Sequence, residues 1–139
     1  GLGDVYKRQI RFILRYMTFP QPWIRAFMPA AVLRCLADGP AHGYAIAQSL
    51  ESLGFGRPKG GSLYPVLGKL EDADLIEAHW APSESGPGRK TYSITTKGKA
   101  ELFDYGTQLD QLKAALRDGP THPTDPDPAA STTTRKDTK

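Results

Sequence analysis

The chain has a single cysteine, Cys35, among its 139 residues. That excludes an internal disulfide framework and a zinc site built from cysteines alone. The histidines His42, His79 and His122 stand too far apart for a familiar local metal-binding motif, so neither a metal nor a cofactor is expected. No apolar run approaches the roughly 18 residues of a membrane span. A phosphate-cradling Gly-x-x-x-x-Gly-Lys motif is lacking, the carboxylates fall in no recognisable catalytic frame, and no histidine lies near Cys35 in sequence. These absences argue against an enzyme and against a membrane protein, leaving a soluble, cytoplasmic chain as the expectation. With 39% apolar residues a modest core is within reach. At this length many chains also gain stability by pairing.

The net charge of +3 is unevenly spread. Residues 1–28 carry five basic side chains and one acidic, residues 29–117 ten of each, and residues 118–139 three basic and four acidic. Overall charge therefore says nothing about nucleic acid, whereas local clustering does. Gly54–Leu70 holds Arg57, Lys59 and Lys69 without an acid, and Ser85–Ala100 holds Arg89, Lys90, Lys97 and Lys99 without one. Between these stretches lie Glu71, Asp72, Asp74, Glu77 and Glu84.

The ends read differently from the middle. The chain opens on Gly1, and Gly1–Gln9 has no periodicity, which makes Met17 and Met28 alternative starts. Ile10–Phe27 mixes aromatics with Arg11, Arg15 and Arg25, a pattern that also suits membrane targeting. Its longest apolar run is only Phe12–Leu14 and no small-residue cleavage site follows, so residues 1–27 are expected to form a packed or frayed extension. Asp118–Lys139 has four prolines, six threonines and no large apolar residue, and is expected to be a disordered tail.

In the middle, Pro29–Ala37 predicts a helix with Pro29 in its first turn and Val32, Leu33 and Leu36 as core stripe; Asp38-Gly39-Pro40 stops it. Cys35 within it reads as a small buried hydrophobe. A second helix is expected over His42–Leu53, with Tyr44, Ile46, Ala47, Leu50 and Leu53 at helical spacing and Gly54 as terminator. After a glycine-rich loop, Ser62 offers an N-cap for a third helix reaching Ala73, its core face being Leu63, Val66, Leu67 and Leu70. Two strands follow, around Ile76–Trp80 and Thr91–Thr95, joined by turn chemistry over Ala81–Gly88. Thr95 or Thr96 then caps a final helix up to Arg117. There Leu102, Tyr105, Leu109, Leu112 and Leu116 are spaced 3, 4, 3, 4, the seam of a helix that packs on a partner helix or on its own domain. Gly106 interrupts this seam at a cost of about 1 kcal/mol.

Three helices, a hairpin and a long last helix are the element order of a winged helix-turn-helix, mainly α with a small β-hairpin. At that point particular residues matter. Leu36-Ala-Asp-Gly-Pro-Ala-His-Gly-Tyr-Ala-Ile46, Gly61-Ser-Leu-Tyr-Pro-Val-Leu-Gly-Lys-Leu-Glu71, Gly88-Arg-Lys-Thr-Tyr-Ser-Ile-Thr95 and Gly98-Lys-Ala-Glu-Leu102 resemble the PadR family of transcriptional regulators. The likeness runs through residues 29–117 in register. It implies a homodimeric, mostly repressing DNA-binding protein whose last helix makes the dimer, and the short C-terminal helix resembles the smaller subfamily. Ala45 stands where the family usually has an acidic residue. The division that follows is an extension (1–27), a winged helix-turn-helix (28–96), a dimerisation helix (97–117) and a tail (118–139).

The residues support a duplex-DNA partner on their own terms. Ser62 and Tyr64 bring hydroxyls to the start of a helix, where its dipole favours phosphate. Lys69, two turns on, faces a base or a phosphate, and Arg89 and Lys90 are placed on the hairpin beside the backbone. His42 is a helix cap or a phosphate contact. Tyr44, Lys59 and Pro65 complete the candidate DNA face. Each has a plainer reading as core aromatic, solvated lysine or turn charge. The five seam residues are the candidate dimer interface. The resemblance further implies a small hydrophobic or aromatic effector, for which Trp80, Phe103 and Tyr105 are the candidate lining, or else core and interface residues. The competing reading is a winged-helix module that binds protein instead of DNA, which the acids from Glu71 to Glu77 keep open.

Overall fold

A computed structural model describes residues 1, 3–9, 18–83 and 86–120. The expected tail, apart from residues 118–120, and residues 2 and 10–17 of the expected extension lie outside the described residues. The elements are α1 (residues 3–9), α2 (Gln21–Ala37), β1 (Ala41–His42), α3 (Gly43–Ser52), α4 (Gly60–Asp72), β2 (Ile76–Ser83), β3 (Gly86–Ile94) and α5 (Thr96–Asp118). Two compact units divide the chain, Gly1–Tyr105 and Gly106–Lys139.

The first unit is built round one apolar cluster. Val32, Leu33 and Leu36 of α2 meet Ile46 and Leu50 of α3, Leu67 of α4 and Ile76 of β2, all fully buried. These are residues that helical and strand periodicity place on inward faces. Replacing one such leucine with Ala is expected to cost about 2–5 kcal/mol. Two members of the expected stripe of α3 are not core: Tyr44 is exposed, and so is Leu53, which follows the helix as its C-cap residue.

Several boundaries depart from those expected. Helix α2 begins at Gln21, eight residues before Pro29, and Pro29 stands inside it. Burial of Ile24 and Met28 adds apolar packing that offsets the backbone bond which Pro29 cannot donate. Helix α4 begins at Gly60 with Lys59, not Ser62, at the N-cap. Pro65 consequently lies beyond the first turn, on an exposed face where the carbonyl it leaves unpaired can reach water.

The wing is longer than its turn-like composition suggests, because β2 and β3 reach Ser83 and Gly86, with an irregularity between Ala81 and Ser83. Ile76 pairs with Ile94, Ala78 with Tyr92 and Trp80 with Lys90. A further short strand, β1, pairs antiparallel on the other side of β3, Ala41 opposite Tyr92 and His42 opposite Thr91. The sheet order is β1-β3-β2.

Thr95 closes the wing and opens α5. Its Oγ1 lies 2.7 Å from the Asp74 carbonyl, to which it donates, and accepts the Gly98 amide at 3.0 Å. Gly98 is buried and sits so close that a Cβ there would collide with the Leu75 carbonyl and meet Ile94 Cγ1 at 2.8 Å. Along α5, Leu102 and Tyr105 are half-buried in the first unit, whereas Leu109, Leu112 and Leu116 of the second are exposed. Among the described residues no helix is long and apolar enough to cross a membrane.

Candidate functional site

An open groove of about 640 Å³ lies between the start of α3, the flank of α4 and the wing. The first contributes His42, Gly43 and Tyr44, the second Tyr64, and the wing Trp80, Gly88, Arg89, Lys90 and Tyr92. Among the described residues no carboxylate lines it.

Local backbone chemistry sets each of these side chains. His42 precedes α3 in extended geometry and its Nδ1 accepts the Ala45 amide at 3.2 Å. The capping role weighed for His42 is thus present. An accepting Nδ1 puts the proton of the neutral ring on Nε2. Helix α3 therefore turns its N-terminal, partly positive end into the groove. Tyr44 is exposed, with the Arg57 guanidinium 4.7 Å from the centre of its ring; Arg57 also lies 3.7 Å from Glu51.

Tyr64 projects from α4 over two glycines. A Cβ on Gly43 would stand 2.8 Å from its hydroxyl, and one on Gly60 would stand 3.5 Å from its ring. The absence of a side chain at Gly43 is what lets this ring lie down, whereas a Cβ on Gly60 would make only ordinary contact with it. At about 100° per residue, Tyr64 and Glu71 share one flank of α4, while Ser62 and Lys69 share the other. Gly61, Pro65, Gly68 and Asp72 run between them along the outer ridge. Lys59, Ser62, Pro65 and Lys69 are all exposed, and none lines the groove. The candidate face thus has two parts, an aromatic flank turned to the wing and a polar flank turned away from it.

The two wing cations differ in their surroundings. Arg89, paired with Ala81 across the hairpin, is exposed. Lys90 is half-buried: its Nζ stands 3.7 Å from Glu71 of α4, 5.4 Å from the centre of the Tyr92 ring and 5.9 Å from that of Trp80. Its charge already has a carboxylate and two aromatic faces as neighbours. Trp80 itself is 69% exposed and lines this groove, while Phe103 and Tyr105 stand on α5 outside the lining. Sequence reasoning placed Trp80 with those two residues and missed its neighbourhood with Tyr64, because strand register alone brings it opposite Lys90. It also missed Arg57 over Tyr44; the acid-free stretch containing Arg57, Lys59 and Lys69 was the available signal.

Cys35 is partly buried against the core, and burial pushes its thiol up to about 11, outweighing the neighbouring Arg34. Among the described residues no group of His, Cys, Asp and Glu side chains is arranged to hold a metal ion.

This architecture has relatives. The Transcriptional regulator PadR-like family model matches residues 32–104. A protein of Lysinibacillus sphaericus, described only as uncharacterized, is 30% identical over 95 residues, covering 67% of this chain and 87% of its own. A PadR-like transcriptional regulator from Bacillus cereus superposes with a TM-score of 0.61 at 26% identity, over 70% of this chain and 95% of that one. PadR of Bacillus subtilis, in a structure with operator DNA, superposes with a TM-score of 0.52 at 32% identity, over 56% of this chain and 45% of that one. The winged helix-turn-helix read from the sequence is the fold of the two solved structures, which are transcriptional regulators and not enzymes. The chain belongs to the PadR-like family of transcriptional regulators.

Proposed function

We propose that the chain binds operator DNA in a sequence-specific way, as a homodimer, and acts in the cytoplasm as a repressor. The observation that carries the DNA reading is the groove lined by Arg89 and Lys90, with no carboxylate among the described residues that line it, set beside an exposed helix face. In this reading residues 28–96 are the DNA-binding part. Helix α4 enters the major groove with Ser62, Pro65 and Lys69, and its small outer ridge permits close approach. Lys59, Tyr64, His42, Tyr44 and Arg89 face the flanking backbone, as phosphate contacts position a protein while base contacts specify. Lys90 counts as a weaker candidate because Glu71 already faces it. The structure of the Bacillus subtilis relative with operator DNA supports the same partner.

Dimerisation rests on residues 97–117, where Leu109, Leu112 and Leu116 are exposed apolar side chains continuing the spacing of Leu102 and Tyr105. A second copy of the helix is the occupant that a 3, 4 seam fits. Release by a small aromatic effector belongs to this reading on the family resemblance alone; phenolic acids that leave DNA affinity unchanged would remove it. The DNA face is tested by combining Lys69→Ala with Arg89→Ala. The double variant should bind duplex DNA more weakly at matched salt, and its salt dependence should flatten by about 0.9 in slope for each phosphate no longer neutralised. Wild-type affinity in the double variant, with the dimer intact, would favour the protein-binding alternative.

A further inference from the structure

We propose that Glu51 and Glu71 are specificity-determining residues: each masks one cation beside the candidate DNA face, Arg57 and Lys90 respectively, and so lowers the affinity of the chain for DNA other than its operator. The inference rests on the DNA-binding reading above and concerns what restrains that binding.

The same arrangement occurs twice. On α3, Glu51 stands seven residues after Tyr44, two turns along the same flank. Arg57, from the loop that follows, spans the two, its guanidinium 4.7 Å from the centre of the Tyr44 ring and 3.7 Å from the Glu51 carboxylate. On α4, Glu71 stands seven residues after Tyr64. Lys90 of the wing reaches it at 3.7 Å, over the Tyr92 ring at 5.4 Å and the Trp80 ring at 5.9 Å. Each cation thus has an aromatic seat that fixes its position and a carboxylate that cancels its charge. Among the described residues no carboxylate pairs with Lys59, Lys69 or Arg89. Unpaired and masked cations therefore stand side by side.

The masked pairs do not anchor the fold. All four side chains remain 34–43% exposed, and ion pairs so open to water contribute little to stability. They matter instead to an approaching polyanion. A masked cation attracts a phosphate about as much as its carboxylate repels one, so random DNA gains only from the unpaired cations. Exchanging the carboxylate for a phosphate requires a duplex held close and in register, as at a site whose bases α4 reads. A penalty on wrong partners raises specificity without any added attraction to the right one.

Glu51→Gln and Glu71→Gln remove the charge and keep the side-chain size. Each variant is titrated by anisotropy with a labelled mixed-sequence duplex of about 30 base pairs, from about 50 mM salt upward. If each chain of a dimer frees one cation to a phosphate, the slope of log affinity against log salt should steepen by about 1.8. Affinity at about 50 mM salt should rise about tenfold or more, and the gain should shrink as salt approaches about 1 M. Glu101→Gln on α5, exposed and outside both clusters, makes the same change of charge and should do much less. In a Lys90→Met background, Glu71→Gln should do no more than that control, the coupling that a double-mutant cycle isolates. Gains no larger than the control's would overturn the inference while the DNA-binding reading stands. So would weaker binding, which would make the two pairs struts that place Arg57 and the wing. If the wild-type chain and its variants all fail to bind at about 50 mM salt, the DNA-binding reading fails and the inference with it.

Discussion

Replacing Gly98 with Ala puts one methyl group where α5 leaves the sheet. The new Cβ would collide with the Leu75 carbonyl and crowd Ile94 Cγ1. The carbonyl cannot retreat cheaply, because it also accepts the Thr95 amide at 3.1 Å, and Thr95 Oγ1 lies 3.1 Å from it. Overpacking of this kind costs about 1–3 kcal/mol, and a backbone obstacle places the effect in the upper part of that range. Alanine returns up to about 1 kcal/mol through helix propensity. The net loss is then about 2 kcal/mol, which for a unit of this size lowers Tm by roughly 8–16 °C. Thermal unfolding followed by circular dichroism measures it. Gly106→Ala in the same helix is the control: nothing lies within 4 Å of a Cβ there, so alanine should favour the helix by about 1 kcal/mol. An unchanged or raised Tm for Gly98→Ala, or equal effects at the two glycines, would refute the close approach of α5 to Leu75.

Gly43→Ala meets only the far end of a flexible side chain, so Tm should move little while displacement of Tyr64 weakens DNA binding severalfold in an anisotropy titration. Leu109→Lys with Leu112→Lys puts charge into the exposed seam, so sedimentation should show monomer and DNA affinity should fall as the two half-sites are no longer linked. The Cys35 thiol, raised from 9.0 to about 11, should react with a thiol reagent at pH 8 about a hundredfold more slowly in the folded chain than in the denatured one. Because folding holds this thiol protonated, its ionisation favours the unfolded chain as pH rises above 9, and this loss of stability should vanish in Cys35→Ala.

Periodicity made most of the first unit legible. Val32, Leu33 and Leu36 of α2, Ile46 and Leu50 of α3, and Leu63, Leu67 and Leu70 of α4 are inward as their helical spacing suggests, though Tyr44 and Leu53 of the same spacing are not, and Thr95 caps α5 as hydroxyl chemistry suggests. The start of α2 was not legible, since Pro29 reads locally as a first-turn proline, whereas Pro22 holds that place and burial of Ile24 and Met28 carries the helix through Pro29. Strand β1 is two residues long and exists through its pairing with Thr91 and Tyr92, about fifty residues further along the chain. In the wing, prolines and glycines over residues 81–88 read as a loop because composition does not reveal cross-strand bonds. The same limit hides the Lys90–Glu71 pair and the joining of Trp80 to Tyr64, both of which depend on strand register and helix docking.

The central claim is that this chain grips duplex DNA through charge placed on α4 and the wing. Anisotropy titrations of the wild-type protein with a labelled duplex, across a series of salt concentrations, test it most directly. If each chain of a dimer sets Lys59 and Arg89 against phosphates, four neutralised phosphates give a slope of log affinity against log salt of about −3.6, steeper with further ones. A flat dependence, or no binding at about 50 mM salt, would contradict the claim.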